Sequence, residues 1–322
     1  MLKWFESYLS DRKQFVCFNG YSSDLLLNKC GVPQGSVLGP LLFLLYINDL
    51  PNVSKLLQFY LFADDTIIYY ESSSFFELEK TLNKELRKLY LWLNVNRLSL
   101  NIGKTNFIIF HPYNKPVKSC VTILIDKKAI SEKNYLKYLG VIVDSTLSWN
   151  HQISSVTKKI SRAIGIMYKL RDLVPLSVLM SIYYSLIYSH IVYAIEVWGS
   201  AFKTEMDKIL ILQKRAVRLM TFADKLPDIP GNLRPSNPIF FKLQILKVVD
   251  VYKYQLIKFI FKCLNQLTPL QFHNWFVLTY QVHLYQTRVS YRRNLFIPSV
   301  RTSNYGLKQL RPKIWNELPS LI

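Results

Sequence analysis

The sequence predicts an α+β protein, with antiparallel strands and helices over residues 1–145 and helices alone thereafter. Three observations predict it. Gln58–Phe62 and Ile67–Tyr70 are runs of aromatic and β-branched residues separated by Ala63-Asp64-Asp65-Thr66, which reads as an antiparallel hairpin with a four-residue tip. Leu78, Leu82, Leu86, Leu89 and Leu93 recur at helical intervals and predict an amphipathic helix over Phe75–Asn96. From Ile153 the pattern turns helical, with Ile153, Val156, Ile160, Ala163, Met167 and Leu170 at alternating spacings of three and four.

Taken in order, residues 1–30 read as the end of a helix and then a strand near Gln14–Phe18 that turns at Asn19-Gly20. Gly31, Pro33, Gly35 and Gly39 punctuate the next stretch. The glycines permit backbone shapes and close approaches that a Cβ would block, and Pro33 fixes a turn. Leu38–Ile47 reads as a buried helix, and Asp49 as a residue that orients a neighbouring turn. At the hairpin, adjacent strand side chains point to opposite faces, so Asp64 and Asp65 reach one site only from a turn. Two carboxylates about 4 Å apart repel by roughly 1 kcal/mol in water and about 4 kcal/mol at an effective dielectric near 20. A cation relieves that repulsion, although Asp is also an ordinary turn residue.

Ser74 and Glu77 have the spacing of a capping box ahead of the long helix. Phe107–Phe110 and Val121–Ile125 read as strands joined by a polar loop containing Pro112 and Pro116. Tyr138-Leu139-Gly140-Val141 reads, on its residues alone, as a strand with a glycine bulge. The helix from Ile153 carries Lys158, Lys159, Arg162, Lys169 and Arg171 opposite its apolar seam. Further helices are expected over roughly Leu176–Ala194 and Met206–Met220, the latter bearing Lys214, Arg215 and Arg218. Residues 224–238, DKLPDIPGNLRPSNP, form the best boundary, and Phe240–Leu264 beyond them reads as one long apolar helix. Arg288, Arg292, Arg293 and Arg301, interleaved with Tyr291 and Phe296, can bind single-stranded nucleic acid or simply be solvated.

Half of the 322 residues are apolar, which excludes a chain disordered throughout. The net charge of +20 is unevenly placed. Residues 1–71 balance at −2, residues 72–170 at +10 and residues 171–322 at +12, a field suited to a polyanion around an acidic centre. Cys17, Cys30, Cys120 and Cys263 show no metal-ligand spacing. Leu173–Ile195 is long enough to span a bilayer. Its Pro175, four serines and His190 make it a buried helix instead, so no membrane association is expected.

GVPQGSVLGPLLFLLYIND, residues 31–49, followed by FADDT, residues 62–66, resembles the reverse transcriptases of jockey-like non-LTR retrotransposons nearly letter for letter and in the same order. The resemblance implies a partial polymerase palm over 1–145, a helical thumb over 146–223, a linker over 224–238 and a helical, basic C-terminal region over 239–322. It places Gln34, Gly35 and Ser36, with Phe62 and Ala63, against template and incoming nucleotide. Asp64 and Asp65 become catalytic ligands of Mg²⁺, with Asp64 the more direct. Lys104 is implied to protonate the leaving pyrophosphate, with a solvated loop lysine as the plain alternative. Tyr138, Leu139 and Gly140 become the primer grip, while Lys158, Lys159, Arg162, Lys214, Arg215 and Arg218 hold the hybrid by its phosphates. The implied partners are an RNA template, a DNA primer and a deoxynucleoside triphosphate, in nucleus or cytoplasm. The motif that supplies the family's first catalytic aspartate does not occur in this sequence. The expectation is therefore a reverse transcriptase with little or no polymerase activity as this chain. The alternative is a non-catalytic nucleic-acid-binding remnant of a mobile element.

Overall fold

The computed structural model describes residues 2–29, 31–33, 35–114, 121–224, 236–282, 294–297 and 311–317. The chain divides into two compact units, Met1–Phe107 with Lys118–Glu132, and Ile108–Val117 with Lys133–Ile322.

The first unit opens with helix α1 (Leu2–Leu9). Strand β1 (Lys13–Gln14) pairs with β4 (Leu26–Leu27), and between them β2 (Cys17–Phe18) pairs with β3 (Tyr21–Ser22). Asn19 and Gly20 turn this inner hairpin with φ of +50° and +81°, the left-handed pair that a two-residue turn demands and that Asn-Gly adopts cheaply. Helix α2 (Leu38–Ile47) leads into a 3-10 turn over Leu50–Val53. Strands β5 (Gln58–Phe62) and β6 (Asp65–Tyr69) pair antiparallel from Gln58↔Tyr69 to Phe62↔Asp65. Helix α3 (Phe75–Val95) follows, then the short strands β7 (Asn106–Phe107), β8 (Leu124–Ile125), β9 (Lys128–Ala129) and β10 (Ser131–Glu132).

The leucine periodicity explains α3. Leu86, Leu89 and Leu93 are buried against Ile47, Leu50, Ile123 and Ile125, and Phe59, Leu61 and Ile68 of the hairpin pack on the same cluster. Asn83 fixes the helix to the following strand, donating to the Thr122 carbonyl at 2.9 Å and accepting from the Leu124 N–H at 2.8 Å. The buried Glu85 pairs with Lys88 at 2.7 Å, and that ammonium together with the Ser54 hydroxyl holds its carboxyl below the usual range.

The second unit begins with strands β11 (Tyr135–Tyr138) and β12 (Val141–Asp144), paired antiparallel. Helices α4 (Asn150–Leu170) and α5 (Leu176–Tyr183) follow, and α5 continues through a single π-turn, Tyr184–Tyr188, into α6 (Ser189–Val192). Next come α7 (Ile195–Trp198), α8 (Lys203–Met220), α9 (Asn237–Lys242), α10 (Val248–Leu264), α11 (Thr279–Val282) and α12 (Arg311–Asn316). The predicted seam of α4 is realised: Ile153, Ile160 and Met167 are completely buried against Leu179, Tyr183, Ile187, Ile209 and Val217. Gln213, also completely buried, ties three elements together. It donates to the Tyr183 hydroxyl at 2.7 Å and the Leu246 carbonyl at 2.8 Å, and accepts from the Val248 N–H at 2.9 Å. Gly199 ends α7 where a Cβ would lie 2.3 Å from the Tyr252 ring, so α7 and α10 approach closely only because that residue is glycine.

Several expectations are corrected. The hairpin tip is two residues, Ala63-Asp64, because Asp65 enters the ladder opposite Phe62. Helix α2 is not buried: Leu41, Leu44 and Leu45 are exposed, since a helix apolar all round needs cover on every side and packs here on one. Ser74 precedes α3 in extended backbone but makes no side-chain cap, so the capping box is unformed. The strands expected at 107–110 and 121–125 shrink to two residues each. Among the described residues the ladders are two-stranded rather than one sheet, and β7–β10 runs parallel. The long helix over 240–264 is interrupted at Gln244, whose φ of +54° ends α9 before α10 begins. Among the described residues no helix is long and apolar enough to cross a membrane.

Candidate active site and nucleic-acid interface

The β5–β6 hairpin positions both carboxylates. Its pleat puts Phe59, Leu61 and Ile68 on the core face, leaving Gln58, Tyr60, Phe62, Asp65 and Tyr69 on the exposed face. Asp65 therefore stands beside Phe62 on the open side of the hairpin, and Asp64 occupies the turn just ahead of it, both exposed. Ala63 turns the chain with φ of +51°, a left-handed conformation that costs a residue with a Cβ about 1–2 kcal/mol. Both carboxylates are thus exposed at the turn end of the hairpin, and such oxygen donors are what a hard cation such as Mg²⁺ accepts. Among the described residues no cluster of three or more His, Cys, Asp or Glu stands ready for a metal. The pair fits part of a Mg²⁺ site and does not complete one.

Of the residues expected against the template, Gln34 lies outside the described residues. Gly35 has φ of +80°, which explains the glycine. Ser36 has a structural task, its hydroxyl accepting the Gly39 N–H at 3.0 Å in the first turn of α2. Asp49 receives the Trp92 indole N–H at 3.4 Å and precedes the 3-10 turn, consistent with an orienting role. Lys104 is exposed in the turn before β7, and among the described residues no ion pair joins it to Asp64 or Asp65.

In the second unit, Leu139 and Gly140 form the two-residue turn between β11 and β12, with φ of +43° and +85°. Glycine takes that conformation freely; leucine does not. A residue that the sequence reading missed holds it. The Tyr193 hydroxyl donates to the Leu139 carbonyl, and its ring covers Gly140 so closely that a Cβ there would lie 3.1 Å away. The Tyr193 carbonyl in turn accepts the buried Trp198 indole N–H at 2.9 Å. Tyr193 lies just past the end of α6 and before Ala194, which takes φ of +51°. The stretch 173–195, without Asp, Glu, Lys or Arg and read as one helix, gave no sign of the left-handed turn at Ala194, and so no sign of the tyrosine's reach.

Asp144, at the far end of the same hairpin, organises the start of α4. Its Oδ1 accepts the Thr146 hydroxyl at 2.8 Å and the Ser148 N–H at 2.9 Å, and its Oδ2 the Trp149 N–H at 2.8 Å. Burial pushes this carboxyl up, but the donors of Ser148, Thr146 and Trp149 together outweigh it and hold the group below the ordinary range. From α4 the side chains of Lys158, Lys159, Arg162 and Lys169 extend into solvent. Lys158, Arg162 and Lys169, spaced by four and seven, line one face of the helix. On α8, Arg215 is exposed while Lys214 and Arg218 are half-buried, so this helix presents less free charge than its sequence promised. The basic cluster at 288–301 lies outside the described residues, apart from Phe296.

Comparison with known proteins adds an independent line. The family described as reverse transcriptase (RNA-dependent DNA polymerase) matches residues 1–143. The RNA-directed DNA polymerase from mobile element jockey of Drosophila funebris is 28% identical over 255 residues, 76% of this chain and 27% of that protein. The probable RNA-directed DNA polymerase from transposon BS of Drosophila melanogaster is 32% identical over 234 residues, 67% of this chain and 25% of that protein. That from transposon X-element of the same species is 27% identical over 223 residues, 67% of this chain and 24% of that protein. The chain spans about a quarter of the length of these relatives. No solved structure matches it.

Proposed function

Residues 1–143 belong to the reverse transcriptase family and most of the chain is related to the RNA-directed DNA polymerases of jockey-like non-LTR retrotransposons, and from that premise we propose that this chain is the nucleotide-joining and hybrid-holding part of such an enzyme. The observation that carries the proposal is the β5–β6 turn, which presents Asp64 and Asp65 on the open face of a hairpin inside the matched region.

In this reading residues 1–145, which take in the first unit and the β11–β12 hairpin, are palm, and residues 146–223 are the thumb. The reaction joins the 3′-hydroxyl of a DNA primer to the α-phosphate of an incoming deoxynucleotide opposite an RNA template, releasing pyrophosphate. Mg²⁺, held by Asp64 and Asp65, would supply the positive charge that favours the ionised hydroxyl and the departing phosphates. The chain's own residues do the rest. Gly35 leaves backbone room beside the template, Phe62 and Ala63 flank the nucleotide, and Lys104 faces the departing pyrophosphate. The Leu139–Gly140 turn, braced by Tyr193, presents the primer end. The α4 cations engage the hybrid through phosphates, the accessible feature of an A-form duplex whose deep groove hides the bases.

Two carboxylates from one turn are not enough. A two-metal centre needs a further carboxylate from a second backbone segment, and misplacement of about 1 Å can cost a hundredfold in rate. This chain alone is therefore proposed to bind the hybrid while extending it poorly. Filter binding of an RNA/DNA hybrid across a salt series tests the holding function. Affinity should fall steeply with salt, and Lys158→Ala with Arg162→Ala should flatten the slope by about two units. A flat salt dependence of the unmodified chain would overturn the reading.

A further inference from the structure

The second unit carries an aromatic and basic surface that the hybrid-holding face of α4 does not use. Its first part is the π-turn. Such one-turn widenings of a helix are uncommon and frequent at functional sites. Here the turn places Tyr184 and Tyr188 with ring centroids 5.4 Å apart at 69°, the Tyr184 ring 43% exposed. Its second part is α10, which packs beside α6 at the end of that turn. Tyr254, Lys258 and Phe261 stand at i, i+4 and i+7 and so share one face of α10, with Lys262 alongside. Tyr254 and Phe261 are each 53% exposed, and both lysines reach solvent. The two parts adjoin through α6, which follows the π-turn directly and packs against α10. Asp250, one turn ahead of Tyr254, is exposed at the acidic end of this face.

We propose that the exposed rings of Tyr184, Tyr254 and Phe261, with the half-buried Tyr188 beside Tyr184 and with Lys258 and Lys262 flanking, form a stacking platform for single-stranded nucleic acid. Exposed aromatic rings interleaved with cations are what an unpaired strand offers partners for: each base has a face to stack, and each phosphate a charge to neutralise. A duplex keeps its bases stacked on one another and would use only the lysines. The chain's net charge of +20 favours a polyanion over a protein partner. The platform uses neither Asp64 nor the α4 lysines, so it stands or falls separately from the polymerase reading.

Fluorescence anisotropy with a labelled single-stranded RNA, a single-stranded DNA of the same sequence and an RNA/DNA hybrid tests it on the full chain. Tyr254→Ala combined with Phe261→Ala should weaken single-strand binding at least about tenfold and leave hybrid binding within about twofold. Tyr254→Trp, which keeps a stacking face, should restore it. Lys158→Glu with Arg162→Glu should do the reverse, weakening the hybrid more than the single strand. Equal loss on both ligands would reduce the platform to general charge and overturn the proposal. So would unchanged single-strand binding, or a change only in self-association measured by light scattering.

Discussion

The two units bury their apolar residues to very different degrees. In the second, Ile153, Ile160, Tyr183, Ile191, Ile195 and Trp198 are all completely inaccessible and belong to one continuous core. In the first, the best-buried apolar residues, Leu50 and Ile123, retain 2% exposure, while Phe18, Tyr21, Leu45 and Phe62 are mostly exposed. Packing energy rises with how completely a side chain leaves water, about 25 cal/mol per Å² of apolar surface. The second unit is thus closely packed through its core, whereas the first has apolar surface to spare on α2, on the N-terminal strands and on the outer hairpin face. The exposed Asp64 and Asp65 lie in that less covered unit.

Substitutions can sharpen that contrast. The largest effect is expected at Gly199→Ala, where the new methyl meets the Tyr252 ring at 2.3 Å between two tightly packed helices. It should cost about 3 kcal/mol or more in urea-induced unfolding, the upper range for overpacking. Gln213→Leu keeps the volume and strips the buried Tyr183 hydroxyl and Val248 N–H of their partner, an expected loss of about 2–3 kcal/mol by the same measurement. If either change were as mild as a surface substitution, the second unit would not be as closely packed as its buried core implies.

Asp144→Asn should be smaller, about 1–2 kcal/mol at neutral pH, because the amide still accepts some of the four hydrogen bonds. The pH dependence gives the sign. A carboxyl whose folded pKa is depressed contributes stability above its unfolded value of about 3.9, and that contribution is lost as pH falls through the lower folded value. The difference between the native chain and Asp144→Asn in thermal melts should therefore hold at neutral pH and shrink below about pH 4. The smallest effect belongs to the first unit. Asp64→Ala should leave stability within about 0.5 kcal/mol, since Asp64 is exposed in a turn and its removal relieves like-charge repulsion. A large loss there would mean that the aspartate is structural.

What the sequence made legible follows from where local pattern decides the outcome. The leucine spacing of α3, the seam of α4 and the Asn19-Gly20 turn are local signals, and each forms as read. The exposed side of α2 was not legible, because an apolar run says that a helix wants cover without saying what provides it. The hairpin tip came out two residues shorter because propensity places strands but the ladder's last pair, Phe62↔Asp65, sets the register. Tyr193 was invisible for a different reason. Its role depends on Ala194 adopting a left-handed backbone and on a contact 54 residues away in sequence, neither of which composition or period encodes.

In the proposed function Asp64 and Asp65 are one contribution to a metal site that needs another. Primer extension on an RNA template with Mg²⁺, comparing this chain with its Asp64→Ala form, tests that most directly. Both forms are expected to extend the primer at background level while still retaining the hybrid in filter binding. Robust synthesis by the native chain that disappears in Asp64→Ala would contradict it.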